Sequence, residues 1–254
     1  MRWGLIIALA LGCGSAGGST ADEATGGAET TVRSESAPRD ALAELGPAES
    51  GVRFGRLELG AGERLQVDAS SCREGLVFVQ EGALEGLAAG AVRRGLVPFE
   101  VVATAPSALL VAFAGDGECA AEEDGGEASL ASTETLPFAG GKLRVQILLD
   151  AARGARHAAF SLLDGDADLP VPPHVHEGSV EALFIVSGDG TMLRGDERFP
   201  IAPGRVVIVP AGVRHGYEAG TEPLRAYQIY HPPGPEQRFR ASAPATPPAP
   251  TEEP

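Results

Sequence analysis

Apolar and polar residues alternate with a period of two through much of the chain after residue 50. Leu57/Leu59 and Leu65/Val67 show the alternation, and residues 76–79 form a short apolar run that ends near Gly82. Both patterns are typical of β-strands, and no capped helical period is sustained. Further strands are predicted at residues 101–102, 109–113, 143–147, 158–163, 182–186, 206–209 and 224–230. The pattern predicts an all-β fold, either a sandwich or a barrel.

Two stretches of this pattern are similar to each other. Residues 76–82 (LVFVQEG) lie over residues 182–188 (ALFIVSG) at one constant offset, and the surrounding strands are equally spaced. A chance match of two strands that end in glycine is the alternative. We therefore predict two tandem barrels, at residues 51–114 and 134–240, joined by an acidic linker at residues 115–133.

The composition of the two ends differs from that of this core. Arg2 precedes a short apolar run, and residues 1–13 are predicted to be a secretory signal, too short to span a membrane. Residues 14–50 contain few large apolar side chains and are predicted to be a disordered tether. Residues 241–254 are rich in Ala and Pro and are predicted to be a disordered tail.

Cys13 directly follows Leu11-Gly12 at the end of the apolar run. This arrangement resembles the lipobox of bacterial lipoproteins, in which the cysteine carries the lipid. Ala10 departs from that pattern, which usually has leucine there. An ordinary signal peptide cleaved elsewhere is the alternative. The lipoprotein interpretation predicts an extracytoplasmic protein held at a membrane through lipidated Cys13.

Cys72 and Cys119 are the other two cysteines. An oxidising compartment and an even count, once Cys13 is set aside, favour a disulfide between them. Two separate buried cysteines are the alternative.

The charge of the chain excludes one class of partner. Asp and Glu outnumber Lys and Arg by 35 to 20, for a net charge of −15 over 254 residues. The arginines are scattered, and no basic patch is visible in the sequence. An acidic surface is repelled by phosphate backbones, so nucleic-acid binding is not expected.

Three of the five histidines and one glutamate are spaced as metal ligands. Prolines before His174 favour an extended backbone, so a strand is predicted to begin near this residue, with His174 and His176 on one face. A turn would bring Glu181 back beside them. A Pro-x-Gly turn at residues 210–212 would then return His215 across the sheet.

The same residues form two motifs that resemble those of the cupin superfamily. The first has His174-x-His176, four residues, Glu181, six residues and Gly188; the second has Gly204, five residues, Pro210-x-Gly212, two residues and His215. Asp168 and Ala219 depart from the pattern at positions that are not metal ligands in the family.

The resemblance implies a double-stranded β-helix, the jelly-roll barrel of cupins. It also implies that His174, His176, Glu181 and His215 bind one divalent metal ion. The first half carries Asp68, Ser70 and Gly75 at the corresponding positions and lacks histidine within residues 51–114. The chain is thus predicted to be bicupin-like, with a degenerate first barrel.

The nitrogen and oxygen ligands suit Fe, Mn, Ni, Cu or Zn, and ligand type alone does not choose among them. The first hypothesis is a metal-dependent dioxygenase that acts on a small hydroxylated or enolic compound. Glu181 is then both ligand and proton acceptor, and Tyr217 is a second catalytic candidate that positions the substrate. A Tyr217 whose hydroxyl is bonded to the backbone is the alternative. The second hypothesis is a non-catalytic binding or sensor protein for a small molecule.

Three other polar residues near the motifs receive structural interpretations. Strand alternation turns Glu177 to solvent. His157 is interpreted as a surface or satisfied core residue, and His231 as the end of a strand. The sequence leaves a homodimer open.

Overall fold

The computed structural model of the chain describes residues 37–115 and 124–242, which belong to one compact unit, Ser36–Pro254. The predicted signal at residues 1–13 with Cys13, the predicted partner Cys119 and most of the predicted tail lie outside the described residues. Cys72 is disulfide-bonded, and its pairing with Cys119 stays a prediction. Within the described ranges, no helix has the length and apolar character needed to cross a membrane.

The first half of the described chain contains a short helix and ten strands. A five-stranded sheet has the order β10-β7-β4-β9-β2, and a three-stranded sheet has the order β1-β3-β8. Strand β10 follows the gap at residues 116–123. The elements are β1 (Arg39–Asp40), α1 (Ala41–Glu44), β2 (Val52–Leu59), β3 (Arg64–Val67), β4 (Glu74–Glu81), β5 (Ala83–Leu84), β6 (Leu87–Ala88), β7 (Ala91–Gly95), β8 (Phe99–Val102), β9 (Ser107–Ala114) and β10 (Gly125–Ser129).

The second half has the same arrangement, with one more strand in each of its two main sheets. A six-stranded sheet has the order β11-β12-β13-β20-β15-β18, and a four-stranded sheet has the order β14-β19-β16-β17. Together they form a jelly-roll barrel. The elements are β11 (Leu136–Phe138), β12 (Leu143–Leu149), β13 (Ala159–Gly165), β14 (Val171–His174), β15 (Val180–Ser187), β16 (Gly190–Arg194), β17 (Glu197–Pro200), β18 (Val206–Val209), β19 (His215–Ala219), β20 (Leu224–His231) and α2 (Gln237–Ser242).

The two halves match in strand pairing as well as in sequence. Strand β4 pairs with β9 as β15 pairs with β20, and each pair has a register shift just before the end of the first strand. The shift lies between Val79 and Glu81 in the first half and between Ile185 and Ser187 in the second. A bulge in the same place of two paired ladders is a specific feature. The all-β fold with two tandem barrels is therefore confirmed.

The large sheets of the two halves pack face to face. Phe54 and Phe78 of the first half and Phe160, Phe184 and Tyr227 of the second lie in one buried apolar cluster. The ring centroids of Phe78 and Tyr227 are 4.6 Å apart, and those of Phe54 and Phe184 are 6.2 Å apart. Strands buried on both faces lose their alternation, which explains the unbroken apolar run at residues 76–79.

Two predicted irregular segments contain regular structure. Residues 39–45 were predicted to lie in the disordered tether, but β1 pairs with β3 and Ala41 of α1 is fully buried. Asp40 caps this helix by accepting from the backbone amides of Leu42 and Ala43. Part of the predicted acidic linker is strand β10, which pairs with β7. In both cases pairing with a sheet elsewhere in the chain supplies the order that local composition does not.

A buried carboxylate of the first half, Glu74, pairs with an arginine of the same half and also binds the second half. The guanidinium of Arg94 lies 3.0 Å from the carboxylate of Glu74, and both side chains are almost fully buried. The other Glu74 oxygen accepts from the backbone amides of Arg156, His157 and Ala158, all in the second half. This carboxylate therefore holds the loop before β13 against the first barrel.

Replacement of Glu74 by Ala should destabilise the protein by about 3–5 kcal/mol, because it leaves three backbone amides without their acceptor and leaves the buried guanidinium of Arg94 with only the partly exposed Asp124, at 3.3 Å, as a carboxylate partner. Glu127→Ala is the matched control, since Glu127 binds the neighbouring Arg93 at the surface and about half of its side chain is exposed. An exposed pair of this kind is worth at most about 1 kcal/mol. Urea unfolding would measure both losses, and equal losses would contradict the assigned role of Glu74.

Candidate metal centre

Two strands of the small sheet bring the first pair of histidines together. His174, the last residue of β14, is the direct neighbour of His215, the first residue of β19. The prediction that a strand begins near His174 is wrong, because β14 ends there. Pro172 and Pro173 lie inside β14, which is an edge strand and has one side free of ladder hydrogen bonds.

His176 lies beyond this strand, in the bend that leads to β15. Its backbone carbonyl accepts from the amide of Gly212, in the predicted Pro-x-Gly turn. His176 is therefore positioned by a loop contact, and strand alternation does not place it. Glu177, the next residue, is exposed, as predicted.

Close backbone approach is needed where β19 meets β14. A Cβ atom added to Gly216 would lie 2.8 Å from the carbonyl oxygen of Val171 and 3.1 Å from the backbone of Pro173. Any larger residue at this position would separate the strands that carry His174 and His215. Glycine is therefore required beside His215 for a steric reason.

Glu181 reaches the same point from the large sheet. It lies on β15 between β18 and β20, opposite Val209 and Tyr230. Alternation turns Val180 and Ala182 to the core between the barrels and Glu181 and Leu183 to the interior of the second barrel. The carboxylate is thus inside the barrel, facing the three imidazoles.

The four side chains form one cluster. One ligand atom from each of His174, His176, Glu181 and His215 lies within 4.8 Å of the other three. The ring centroids of His174 and His215 are 4.3 Å apart, and that of His176 lies 4.9 and 5.0 Å from them. Only His174 is more than slightly exposed. A single cation fits among donors at these separations.

Hydrogen bonds orient two of the rings. Nδ1 of His174 lies 2.9 Å from the carbonyl oxygen of Pro172, and Nδ1 of His215 lies 2.8 Å from that of Val213. A carbonyl only accepts, so each Nδ1 donates and leaves the lone pair on Nε2. Both Nε2 atoms are buried: that of His174 has no hydrogen-bond partner, and that of His215 faces another acceptor, Oε2 of Glu181, at 2.7 Å. Buried acceptors without a donor are what a metal ion would satisfy, so the residues fit a metal.

The local electrostatics keep His174, His176 and Glu181 in their ligating forms. Burial lowers the pKa of His174 and lowers that of His176 to about 4, so both rings are neutral near pH 7. Burial by itself raises the pKa of Glu181, but the hydrogen bond and charge of His215 outweigh it and lower the pKa to about 2. The carboxylate is therefore ionised. Burial lowers the pKa of His215, while Glu181, whose Oε2 is 2.7 Å from Nε2, produces a net increase.

Sequence reasoning missed three residues that surround the cluster. Gln228 donates to Oε1 of Glu181, and its amide nitrogen lies 2.9 Å from the Tyr230 hydroxyl. That hydroxyl is 3.3 Å from Nε2 of His176 and 3.0 Å from Nη2 of Arg238. Gln228 and Tyr230 are two apart on β20 and so share its inner face. A glutamine inside an otherwise buried run was the available signal, whereas Arg238 follows an irregular turn and had none.

Tyr217 does not reach the cluster with its hydroxyl. The hydroxyl donates to the backbone carbonyl of Asp189, as in the alternative interpretation, while the ring lines the barrel interior. The hydroxyl takes this partner because its burial requires one, and a substrate-positioning role for Tyr217 stays a prediction that would rest on its ring. His157 and His231 also lie outside the cluster, and Nδ1 of His231 is bonded to the carbonyl of His157.

A cavity of about 90 Å³ opens beside the four donors. Its polar lining comes from His174, Glu181, His215, Gln228 and Arg238. Most of the remaining wall is apolar and includes Leu143, Leu163, Leu183, Ile185, Met192, Ile201, Leu224 and Phe239. A site of this kind accepts a small molecule with one polar end.

The described residues of the first barrel form no such site. Gly75 pairs with Phe113 and Gly95 as Glu181 pairs with Tyr230 and Val209. A Cβ added to Gly75 would lie 2.7 Å from Val67 and 3.3 Å from the ring of Phe113. Apolar side chains thus occupy the volume that the carboxylate uses in the second barrel.

Comparisons with known proteins agree with this description. Residues 165–230 match the family model described as the cupin domain. An uncharacterized protein of Streptomyces coelicolor is 39% identical over 61 residues, which make up 24% of this chain and 55% of that protein. The chain therefore matches about half the length of this curated relative.

Solved structures are similar over both barrels. Oxalate decarboxylase of Bacillus subtilis has a TM-score of 0.59 at 14% identity, covering 73% of this chain and 70% of that chain. A putative glyoxylate induced protein from Pseudomonas aeruginosa has a TM-score of 0.56 at 12% identity, covering 71% of this chain and 74% of that chain. Similarity at these identities supports the fold. The class is thus a two-barrel protein of the cupin fold, and the cupin domain match falls on its second barrel.

The His174→Ala/His176→Ala double variant should lose at least about tenfold in affinity for divalent metal, because half of the donors are removed. Elemental analysis of the purified proteins would measure retained metal. A chelator should lower the melting temperature of the wild type and leave that of the double variant unchanged. His231→Ala is the control, since this ring lies outside the cluster. Equal metal content in wild type and double variant would contradict the site.

Proposed function

We propose that the second barrel is a metal-dependent oxidoreductase domain, of the dioxygenase type, that acts on a small hydroxylated or enolic compound. The observation that carries the proposal is the convergence of three imidazoles and one carboxylate on one buried point, where Nε2 of His174 has no other partner and Nε2 of His215 faces Glu181. His174, His176, Glu181 and His215 would hold the ion. Bound there, a divalent metal would supply Lewis acidity, and a redox-active one would also supply electron transfer.

The chain's own residues prepare the site in three ways. The backbone carbonyls of Pro172 and Val213 orient two imidazoles, so their donor atoms need little reorganisation. Gln228 and Tyr230 satisfy the Glu181 oxygen that faces away from His215. The apolar wall of the cavity excludes water from the remaining space and favours a compact organic ligand.

The ion is not specified by the donor set. One of the structurally similar proteins, the oxalate decarboxylase of Bacillus subtilis, is described by its Mn(II) centres. Manganese is therefore one candidate for this chain, together with Fe, Ni, Cu and Zn. For an oxidoreductase we expect one of the redox-active ions.

A non-catalytic binding or sensor protein is the second candidate. The observation in its favour is that Glu181 is the one carboxylate along the cavity wall, and the site assigns it to the metal. Within the described residues, no other aspartate or glutamate lines the cavity as a separate general base. A pocket that binds without turnover would need nothing more.

Oxygen consumption and metal identity together should separate the two functions. Wild-type protein with a redox-active metal should consume O₂ in the presence of a compound from a catechol and flavonol panel. The His174→Ala/His176→Ala variant should consume none. Zinc, or no metal, in the purified wild type and no O₂ uptake across the panel would contradict the oxidoreductase and favour the binding protein.

We also propose that the protein is anchored outside the cytoplasm through lipidated Cys13. The support is the apolar run that precedes this cysteine. Wild-type protein made in a bacterial host should fractionate with membranes and carry the mass of an attached lipid, whereas Cys13→Ser should be released in soluble form. An unmodified wild-type protein with an intact leader would contradict the anchor.

A further inference from the structure

One cation lines the cavity without a carboxylate partner. Arg238 donates from Nη2 to the Tyr230 hydroxyl at 3.0 Å, and its Nη1 lies 3.4 Å from Nε2 of His176. The Nε of Arg238 is buried and has no hydrogen-bond partner. Across residues 37–115 and 124–242, no carboxylate oxygen lies within 4 Å of this guanidinium. A partly buried guanidinium that has only neutral partners is costly unless an anion joins it.

The residues on both sides of Arg238 fix the helix that carries it. Gln237, the preceding residue, donates from Nε2 to the carboxylate of Asp150 at 3.3 Å. Phe239, the next residue, is 1% exposed, and its ring packs edge-on against Phe138 with centroids 5.1 Å apart. Arg240 pairs with the same fully buried Asp150 carboxylate at 2.9 Å and with Glu134 at 2.6 Å. These contacts hold α2 in place, and the guanidinium of Arg238 therefore has a fixed position at the cavity.

The charges at this end of the cavity do not balance once a divalent ion is counted. An ion of charge +2, Glu181 at −1 and Arg238 at +1 leave a net charge of about +2 within a mostly apolar wall. A metal ion would engage the carboxylate of Glu181, so this carboxylate would not also neutralise Arg238. The site would then require an anion from outside.

The rest of the cavity wall restricts the chemical character of the remainder of the ligand. Beyond Gln228 and Arg238 the wall is formed mainly by aliphatic and aromatic side chains, including Leu183, Met192 and Ile201. A second charged group placed there would be desolvated without a partner. A ligand with one anionic end and an apolar body of a few carbon atoms fits both regions.

We propose that Arg238 is a specificity-determining residue that binds the carboxylate of a small monocarboxylate, with the apolar body of this ligand filling the rest of the cavity. The inference rests on the proposed metal centre and names the substrate class for it. The planar fork of a guanidinium matches two carboxylate oxygens, and the unpartnered Nε supplies one edge of that fork.

Isothermal titration with butyrate and its uncharged isostere butyramide tests this assignment on full-length protein loaded with Zn(II), which avoids redox turnover. Wild-type protein should bind butyrate at least about tenfold more tightly than butyramide. Arg238→Met should lower butyrate affinity about tenfold and change butyramide affinity less than about twofold. Arg238→Lys should retain part of the preference, because it keeps the charge and loses the fork. Arg205→Met is the control, since Arg205 is exposed and does not line the cavity.

Zinc content and thermal unfolding of every variant accompany the titrations. Equal affinity for the two probes, or no butyrate binding, in wild-type protein with one zinc per chain would overturn the carboxylate assignment and leave the metal centre intact. A butyrate preference that survives Arg238→Met in folded, zinc-loaded protein would also overturn it. A wild-type protein that binds no divalent metal would instead overturn the metal centre, and the inference with it.

Discussion

The burial of one carboxylate inside the second barrel is the constraint on which the site depends. Glu181 is 5% exposed, and an ionised carboxylate in such a place is strongly unfavourable without partners. His215 and Gln228 supply them, one from each face of the barrel. These positions require β20 to pair with β15 in the large sheet and β19 of the small sheet to face β15 across the barrel interior. The chemistry of the site and the closure of the barrel are thus two aspects of the same arrangement.

The two halves show what becomes of this architecture with and without that carboxylate. Both retain the same ladder with a bulge in the same place, so the backbone does not depend on the site. Where Gly75 replaces the glutamate position, Val67, Ala69 and Phe113 fill the space. A close-packed interior of this kind has no cavity for a ligand. The first barrel contributes a packing face, with Phe54 and Phe78 against the second barrel, and a buried carboxylate, Glu74, that holds a loop of the second barrel.

The residues around the four donors divide the cavity into a polar end and an apolar body. Tyr230, Gln228 and Arg238 form one connected set of hydrogen bonds next to His176. Arg238 stands apart from the other two because it is charged and no carboxylate oxygen of the described residues lies within 4 Å of its guanidinium. It comes from a short C-terminal helix fixed by Phe239 and Arg240, outside the repeated strands. Arg238, which would determine ligand specificity, therefore lies on a different element from the four residues that would hold a metal.

The sequence by itself determined the strands and the candidate donors, because a period of two and the spacing of His174, His176, Glu181 and His215 are local properties of the chain. It also determined that the first half lacks these donors. Only the tertiary structure decided which polar groups meet them. Tyr217 and Tyr230 are both largely buried tyrosines on barrel strands, but the hydroxyl of Tyr217 donates to a backbone carbonyl and that of Tyr230 lies beside His176. Arg238 and residues 39–45 take their places through contacts with strands distant in sequence. Local propensity carries no information on such contacts, since burial and pairing are set by the partner surface and not by the segment itself.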